Sequence, residues 1–301
     1  MPPKPKSAGA RFRSALKAER PLQVVGVINA YAALLAERAG FRAVYLSGAG
    51  VANASHGVPD LGITSLENVC EDVRRIAGAT SLPLLVDADT GWGGPSMIRR
   101  TVREMTRAGA AGCHIEDQVH AKLCGHLPGK QLVSTARMCG RIRAAARART
   151  DPAFVIMART DAHAVEGIER AIERARAYVA AGADMIFAEA LGTLGEYRRF
   201  TAALGRVPVL ANLTEFGKTP LFTVGQLRSA GVAVALYPLG AFRAMSRAAE
   251  NVYAAIRGDG TQRSQLGRMQ TRAELYGVLR YEEHVRRLGR AARARGRRGG
   301  E

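Results

Sequence analysis

The 301-residue chain has only four cysteines, Cys70, Cys113, Cys124 and Cys139, and no pair is spaced C-x-x-C. So few thiols argue against a disulfide framework, and their spacing argues against a zinc site, so reduced cysteines are expected. Long apolar runs are missing too. Nothing approaches the roughly 18 consecutive apolar residues of a membrane span, and the opening MPPKPKSAGARFR lacks the apolar centre of a secretory signal. A cytoplasmic protein without membrane contact is the expectation. No P-loop is present, and no G-x-G-x-x-G opens a helix after a strand, which disfavours nucleotide chemistry.

Positive charge is what the chain has in excess, with a formal net charge of +18. Residues 1–20 supply +5 of it and residues 285–301 supply +6, so much of the excess is terminal. The Gly/Ala/Arg stretch RRLGRAARARGRRGG reads as a solvated or disordered tail, with contact to nucleic acid or an acidic surface as the alternative. It carries no interleaved aromatics for stacking on bases, so a nucleic-acid partner is not the first expectation. What remains between the ends suits an enzyme for an acidic metabolite.

From about residue 22 onward, short apolar runs alternate with longer amphipathic ones, the pattern of repeated βα units. Strands are predicted at 22–27, 43–46, 84–87, 112–116, 155–158, 185–189, 209–212 and 233–237. Helices are predicted near 30–39, 66–78, 96–109, 134–148, 164–181, 193–204, 223–229 and 240–257. Eight such units favour a closed (β/α)8 barrel, which has no sheet edge, over an open doubly wound sheet. A loop at 258–269 and a further helical stretch at 271–288 exceed what a barrel needs. We therefore expect a basic extension at 1–20, one domain at 21–285 and an Arg-rich tail at 286–301.

Acids and bases gather where the predicted strands end, and in a barrel those ends form the catalytic face. Strand three ends in LLVDADTGWGG, with Asp87 and Asp89 two residues apart and so facing the same way. Two such carboxylates repel unless a cation joins them. Mg²⁺ suits hard oxygen ligands, while a pair of loop-capping aspartates is the plainer alternative. Glu116 and Asp117 in GCHIED and Asp60 in GVPDLG add convergent acids. In the loop DQVHAKLCGHLPGK, Cys124 sits between Lys122 and His126, where cations favour the thiolate and make it a proton exchanger. The other three cysteines fall in predicted helices or strands and read as packing.

Arg159 in IMARTDA, Arg243 after strand eight and Arg272 at the last helical stretch could clamp carboxylates bidentately, though any single arginine here could equally be a surface residue. Glu189 in IFAEA, and Asn212 and Thr214 in LANLTEFG, present further polar groups. The turn YLSGAG offers Ser47 and two glycines whose N–H groups can approach an anion, and Tyr45 before it is a proton carrier or barrel packing.

Taken in order, YLSGAG, GVPDLG, LLVDADTGWG, HIEDQ, KLCGH, IMARTDA, LANLTEFG, ALYPLGAFRAM and MQTRAELY resemble the methylisocitrate lyase branch of the isocitrate lyase and phosphoenolpyruvate mutase superfamily. The match runs from about residue 20 to residue 285, and the K-x-C-G-H element is its most specific part. The resemblance implies a barrel whose eighth helix is exchanged between subunits of a homotetramer. It implies Asp87 and Asp89 as magnesium carboxylates, with Mn²⁺ a possible substitute, and Asp60 and Glu116 as holders of the metal's waters. It makes Cys124 the proton donor, with Lys122 beside it and Tyr45 a candidate base. Ser47, Gly48, Ala49, Gly125, His126, Arg159, Glu189, Asn212, Leu213, Thr214, Arg243 and Arg272 match substrate-contacting positions, and Phe187 and Leu236 the methyl-tolerant pair. The implied reaction cleaves (2S,3R)-2-methylisocitrate to pyruvate and succinate in the methylcitrate cycle of propionate catabolism. Isocitrate lyase and an oxaloacetate-type decarboxylase are the related alternatives. Two positions depart from the pattern: Leu123 stands where arginine is usual, and Ala49 replaces the middle glycine of an S-G-G-G turn.

Overall fold

The computed structural model of the protein describes residues 5–119, 122 and 129–298. In chain order its elements are α1 (Ala8–Ala18), β1 (Leu22–Gly26), α2 (Ala30–Arg38), β2 (Ala43–Leu46), the single turn α3 (Gly48–Gly50), α4 (Leu66–Ala79), β3 (Leu84–Asp87), α5 (Pro95–Ala108) and β4 (Gly112–Glu116). There follow α6 (Thr135–Arg147), β5 (Val155–Thr160), α7 (His163–Ala180), β6 (Met185–Ala188), α8 (Leu194–Leu204), β7 (Val209–Asn212), α9 (Val224–Ser229), β8 (Val234–Tyr237), α10 (Gly240–Asp259), α11 (Arg272–Val278) and α12 (Tyr281–Arg298). The eight strands are parallel and pair in sequence order, and β8 closes the barrel on β1 with Leu22 opposite Val234. The expected closed (β/α)8 barrel is what forms.

Period-two alternation sorts each strand into two layers. Leu22, Val24, Ala43, Tyr45, Leu85, Val155, Met157, Met185, Phe187, Leu210, Val234 and Leu236 share the inner cluster. Val44, Leu46, Leu84, Val86, Cys113, Ile115, Ile156 and Ala158 join the layer packed under the helices. Gly112 lies on the inner parity, where a Cβ would stand 2.6 Å from the Cβ of Val155, so only glycine lets β4 and β5 approach this closely. Carried toward the carboxyl ends, the inner parity passes from apolar residues to Asp87, His114, Glu116, Arg159 and Asn212. The same alternation that builds the core thus delivers the polar groups to one face.

The segment expected as a basic extension contains α1, capped by the Ser7 hydroxyl and carrying Phe12 fully buried in the inner cluster beside Leu22 and Val24. Arg13 ties the helix down by donating to the Ala153 carbonyl (2.8 Å) and pairing with Asp184 (3.0 Å). Strand β5 runs two residues past its predicted end, because Thr160 still pairs with Ala188 of β6.

Residues from Ala244 onward form a second compact unit. Within it the stretch expected as one helix is two, α11 and α12, separated where Arg280 adopts a left-handed φ of 51°. Tyr276 and Tyr281 stack across that break at 4.5 Å. Helix α12 covers most of the Arg-rich tail. Among the described residues, no helix is long and apolar enough to cross a membrane.

Candidate active site

Asp87 ends β3, and Asp89 follows with a left-handed φ of 45°, a conformation aspartate tolerates better than most residues. The Asp89 N–H donates to Asp87 Oδ1 (3.0 Å), and the Gly48 N–H donates to Asp87 Oδ2 (3.1 Å). A Cβ at Gly48 would stand 3.2 Å from both Asp87 Oδ2 and Asp89 Oδ1, so the glycine keeps open a cradle between the carboxylates. In the departure from S-G-G-G, the methyl of Ala49 falls at a partly exposed position of the α3 turn, not at this cradle. Ser47 is buried at the head of the turn, which continues as a π-helix, Val51–Ser55, of the kind that marks functional sites.

Lys122 is buried, with its ammonium 2.8 Å from Asp89 Oδ1 and hydrogen-bonded to Asp60 Oδ1. The structure thus brings Asp60, Asp87, Asp89 and Lys122 together. Burial and the charge of Asp87 push the Asp89 carboxyl up to about 6. Burial would raise Asp87 as well, but its pairing with His114, together with Lys122 and Arg159, outweighs it and holds Asp87 far below the usual carboxylate range. Among the described residues no group of three or more His, Cys, Asp or Glu side chains could hold a metal alone. Two converging carboxylates, with neighbouring acids able to hold water, nevertheless fit Mg²⁺, which keeps several waters and binds few protein ligands.

His114 was not singled out from the sequence, although it lies two residues before Glu116 on the inner parity. It is fully buried, its Nε2 is 2.9 Å from the Tyr45 hydroxyl and 3.6 Å from Asp87 Oδ1, and its ring packs edge-on to Phe187 at 5.0 Å. Burial pulls the imidazole down to about 4, so it is neutral near pH 7. Burial and then Asp87 push the Tyr45 phenol well above its ordinary value. Tyr45 therefore holds its proton, and it can serve as a base only by passing that proton on, with His114 Nε2 (2.9 Å) nearer than Asp87 Oδ2 (3.4 Å).

Arg159 is the hub of the mouth. Its Nε and Nη2 grip Asp161 at 3.0 and 3.2 Å, while Nη1 lies 3.3 Å from Glu116 and Nη2 lies 3.2 Å from Glu189. The Nε/Nη2 edge, one of the two that could clamp a carboxylate, is thus taken by Asp161, and the Nη1/Nη2 edge faces Glu116 and Glu189. Glu116 is fully buried, and burial raises its carboxyl well above the ordinary range against the pull of Arg159 and Lys122. Glu189 accepts from the Ala190 N–H (3.0 Å) and from Asn212 Nδ2 (3.3 Å). Leu213, expected to contact substrate, is instead buried in the layer under the helices, and Thr214 is half-buried.

Other expected residues stand elsewhere. Asp117, counted with the convergent acids, has the opposite parity to Glu116 and accepts from Thr160 and Tyr178 at 2.8 Å each. Arg243 pairs with Glu215 (3.7 Å) and lies over the Phe216 ring rather than against the acids. Arg272 belongs to the second unit, just after the Thr271 cap of α11. Leu123, Cys124, Gly125 and His126 lie outside the described residues. Phe187 and Leu236 are both buried in the inner cluster, with the Arg159 guanidinium 5.2 Å above the Phe187 ring.

Comparison with known proteins gives this arrangement a family. The phosphoenolpyruvate phosphomutase profile matches residues 12–257. The chain belongs to that family. Within the family it is 60% identical to a 2-methylisocitrate lyase of Escherichia coli, over 94% of this chain and 95% of that protein. It is 48% identical to one of Aeropyrum pernix, over 89% and 86%. Among solved structures of family members, a 2,3-dimethylmalate lyase superposes with a TM-score of 0.88 at 35% identity, over 95% of this chain and 96% of that one. A phosphonopyruvate hydrolase in complex with oxalate and Mg²⁺ gives 0.82 at 31%, over 94% and 98%.

Proposed function

We propose that the chain is a Mg²⁺-dependent lyase that cleaves (2S,3R)-2-methylisocitrate to pyruvate and succinate. The mouth geometry supports a hydroxy-acid or oxo-acid lyase, and the 60% identity to a 2-methylisocitrate lyase selects this substrate among them. Asp87 and Asp89 would hold the ion, with Asp60 and Glu116 holding its waters. When bound, Mg²⁺ would supply Lewis-acid chelation of the substrate hydroxyl and its adjacent carboxylate. Tyr45 accepts the hydroxyl proton while passing its own to His114 Nε2, 2.9 Å away. The C2–C3 bond then breaks, its electron pair going to C3 as the aci-form of succinate while C2 becomes the carbonyl of pyruvate. Cys124 protonates C3, with Lys122 in the same loop favouring its ionisation. Arg159 meets a carboxylate through its Nη1/Nη2 edge, and Ser47, Gly48, Glu189, Asn212 and Thr214 orient the rest.

This activity would place the chain in the cytoplasmic methylcitrate cycle of propionate catabolism. Helix α10 has no buried residue and exposes Met245, Tyr253 and Ile256. That apolar surface supports exchange of helices between subunits of a homotetramer, and Arg243 and Arg272 would each supply a guanidinium for a substrate carboxylate.

The test is to incubate purified protein with Mg²⁺ and authentic 2-methylisocitrate. Pyruvate and succinate should appear in equal amounts and vanish with a chelator or in Cys124→Ala. Glyoxylate from isocitrate at higher kcat/KM, or CO₂ from oxaloacetate alone, would overturn the substrate.

A further inference from the structure

Asp161 and Lys130 take no part in the chemistry above, yet their side chains are 0% and 1% exposed and paired at 3.2 Å beside Arg159. Neither position is loosely held. Around Lys130 the backbone is pinned by Val119 N–H to the Gln131 carbonyl and by Val133 N–H to the Asp117 carbonyl, both 2.9 Å. The Asp161 N–H donates to Asp117 Oδ1 (2.9 Å), and Arg141 fixes the strand beside Asp117 by donating to the Glu116 and Gln118 carbonyls at 2.8 and 2.9 Å.

The arginine itself is pulled two ways. Asp161 takes Nε and Nη2, while Glu116 attracts Nη1 and Glu189 competes for Nη2. Where Arg159 points depends on how firmly Asp161 holds, and Asp161 Oδ1 is shared with the Lys130 ammonium. A carboxylate between two buried cations is fixed in rotamer as well as in charge.

We infer that Lys130 and Asp161 are a positioning pair for Arg159. Lys130 fixes the Asp161 carboxylate, which grips the Nε/Nη2 edge and leaves the Nη1/Nη2 edge turned to a substrate carboxylate. The inference rests on the reading that Arg159 binds a carboxylate of the substrate. Glu116 and Glu189 already stand 3.3 and 3.2 Å from Nη1 and Nη2, and without Lys130 the grip of Asp161 loosens and the arginine is drawn further toward them, where a substrate carboxylate competes less well for that edge.

A double-mutant cycle on the full-length protein tests this, using kinetics with 2-methylisocitrate and calorimetric affinity for succinate. Lys130→Met should raise KM and weaken succinate binding about 10-fold, with kcat changing less than about 3-fold, a coupling typical of contacting polar groups. Lys130→Arg should restore most of the loss. In an Arg159→Lys background, Lys130→Met should add less than about 2-fold. An equal loss in both backgrounds, or a fall in kcat at unchanged KM, overturns the proposal. If Lys130→Met does not fold, Asp161→Asn replaces it in the same cycle with the same expected outcomes. A wild-type chain that releases no pyruvate but binds succinate refutes the proposed reaction while the succinate arm still decides the pair. A wild-type chain that binds no succinate overturns the pair as well.

Discussion

Phe187 tests whether substrate choice is made by contact or by support. Its side chain is 1% exposed, lying beneath the Arg159 guanidinium at 5.2 Å and against His114 at 5.0 Å. In Phe187→Leu the pocket stays apolar but loses the cation–π contact, about 0.5–2 kcal/mol, and the edge-to-face contact, about 0.5–1.5 kcal/mol. The sum, about 1–3.5 kcal/mol, corresponds to a fall in kcat/KM of roughly 5- to 400-fold. Because the ring supports two groups that any substrate of this site meets, methylisocitrate and isocitrate should lose the same factor. Their ratio should move by less than about 3-fold, whereas a ring touching the methyl directly would shift it by 10-fold or more, given about 1–3 kcal/mol per methyl. Kinetics of both substrates on wild type and variant decide it. A ratio shifted tenfold with little loss on isocitrate would refute the support argument.

Three further outcomes follow from burial. Phe12→Ala should cost about 3–5 kcal/mol as a fully buried aromatic, lowering the thermal midpoint by roughly 6–15 °C while leaving kcat intact at low temperature; an unchanged midpoint would show that α1 does not seal the barrel. Burial raises Cys113 to about 12 and Cys70 to about 11, and raises Cys139 as well. At pH 8 roughly one part in a thousand or fewer of Cys70 and Cys113 is thiolate, so Ellman's reagent should react rapidly with at most one native thiol and with all four after denaturation. Rapid native labelling of Cys113 by mass spectrometry would contradict this. His114, lowered to about 4 against an ordinary 6.5, contributes stability that is complete above pH 6.5 and lost as the pH falls toward 4, because only the unfolded chain takes up that proton in this window. The loss is of order 3 kcal/mol, so urea midpoints should fall between pH 6.5 and 4.5 and fall less in His114→Gln.

What the sequence made legible and what it hid divide along one physical line. Strand positions and the acidic mouth follow from period two, a local property, and the strands at 43–46, 84–87, 112–116 and 209–212 form as predicted. The same parity marks His114 as inward and Asp117 as outward, so both placements are legible in the sequence. Helix α1 is also legible, since Ala8, Phe12, Ala15 and Leu16 repeat at helical spacing, although the surrounding lysines and arginines mask the apolar stripe in the composition. Partner choice is different. Period two puts Asp161 beside Arg159, but nothing local says that Arg159 also meets Glu116 and Glu189 from neighbouring strands, or that Arg243 faces Glu215 across 28 positions of sequence. In a chain with 44 basic side chains the candidate partners far outnumber the contacts, and only closure of the barrel decides among them. Arginines read from sequence as substrate clamps are therefore best ranked by how many protein carboxylates already claim them. By that measure Arg159, which faces three, reaches a substrate only if its geometry is held in place, which is why the second layer behind it should matter as much to binding as the guanidinium itself.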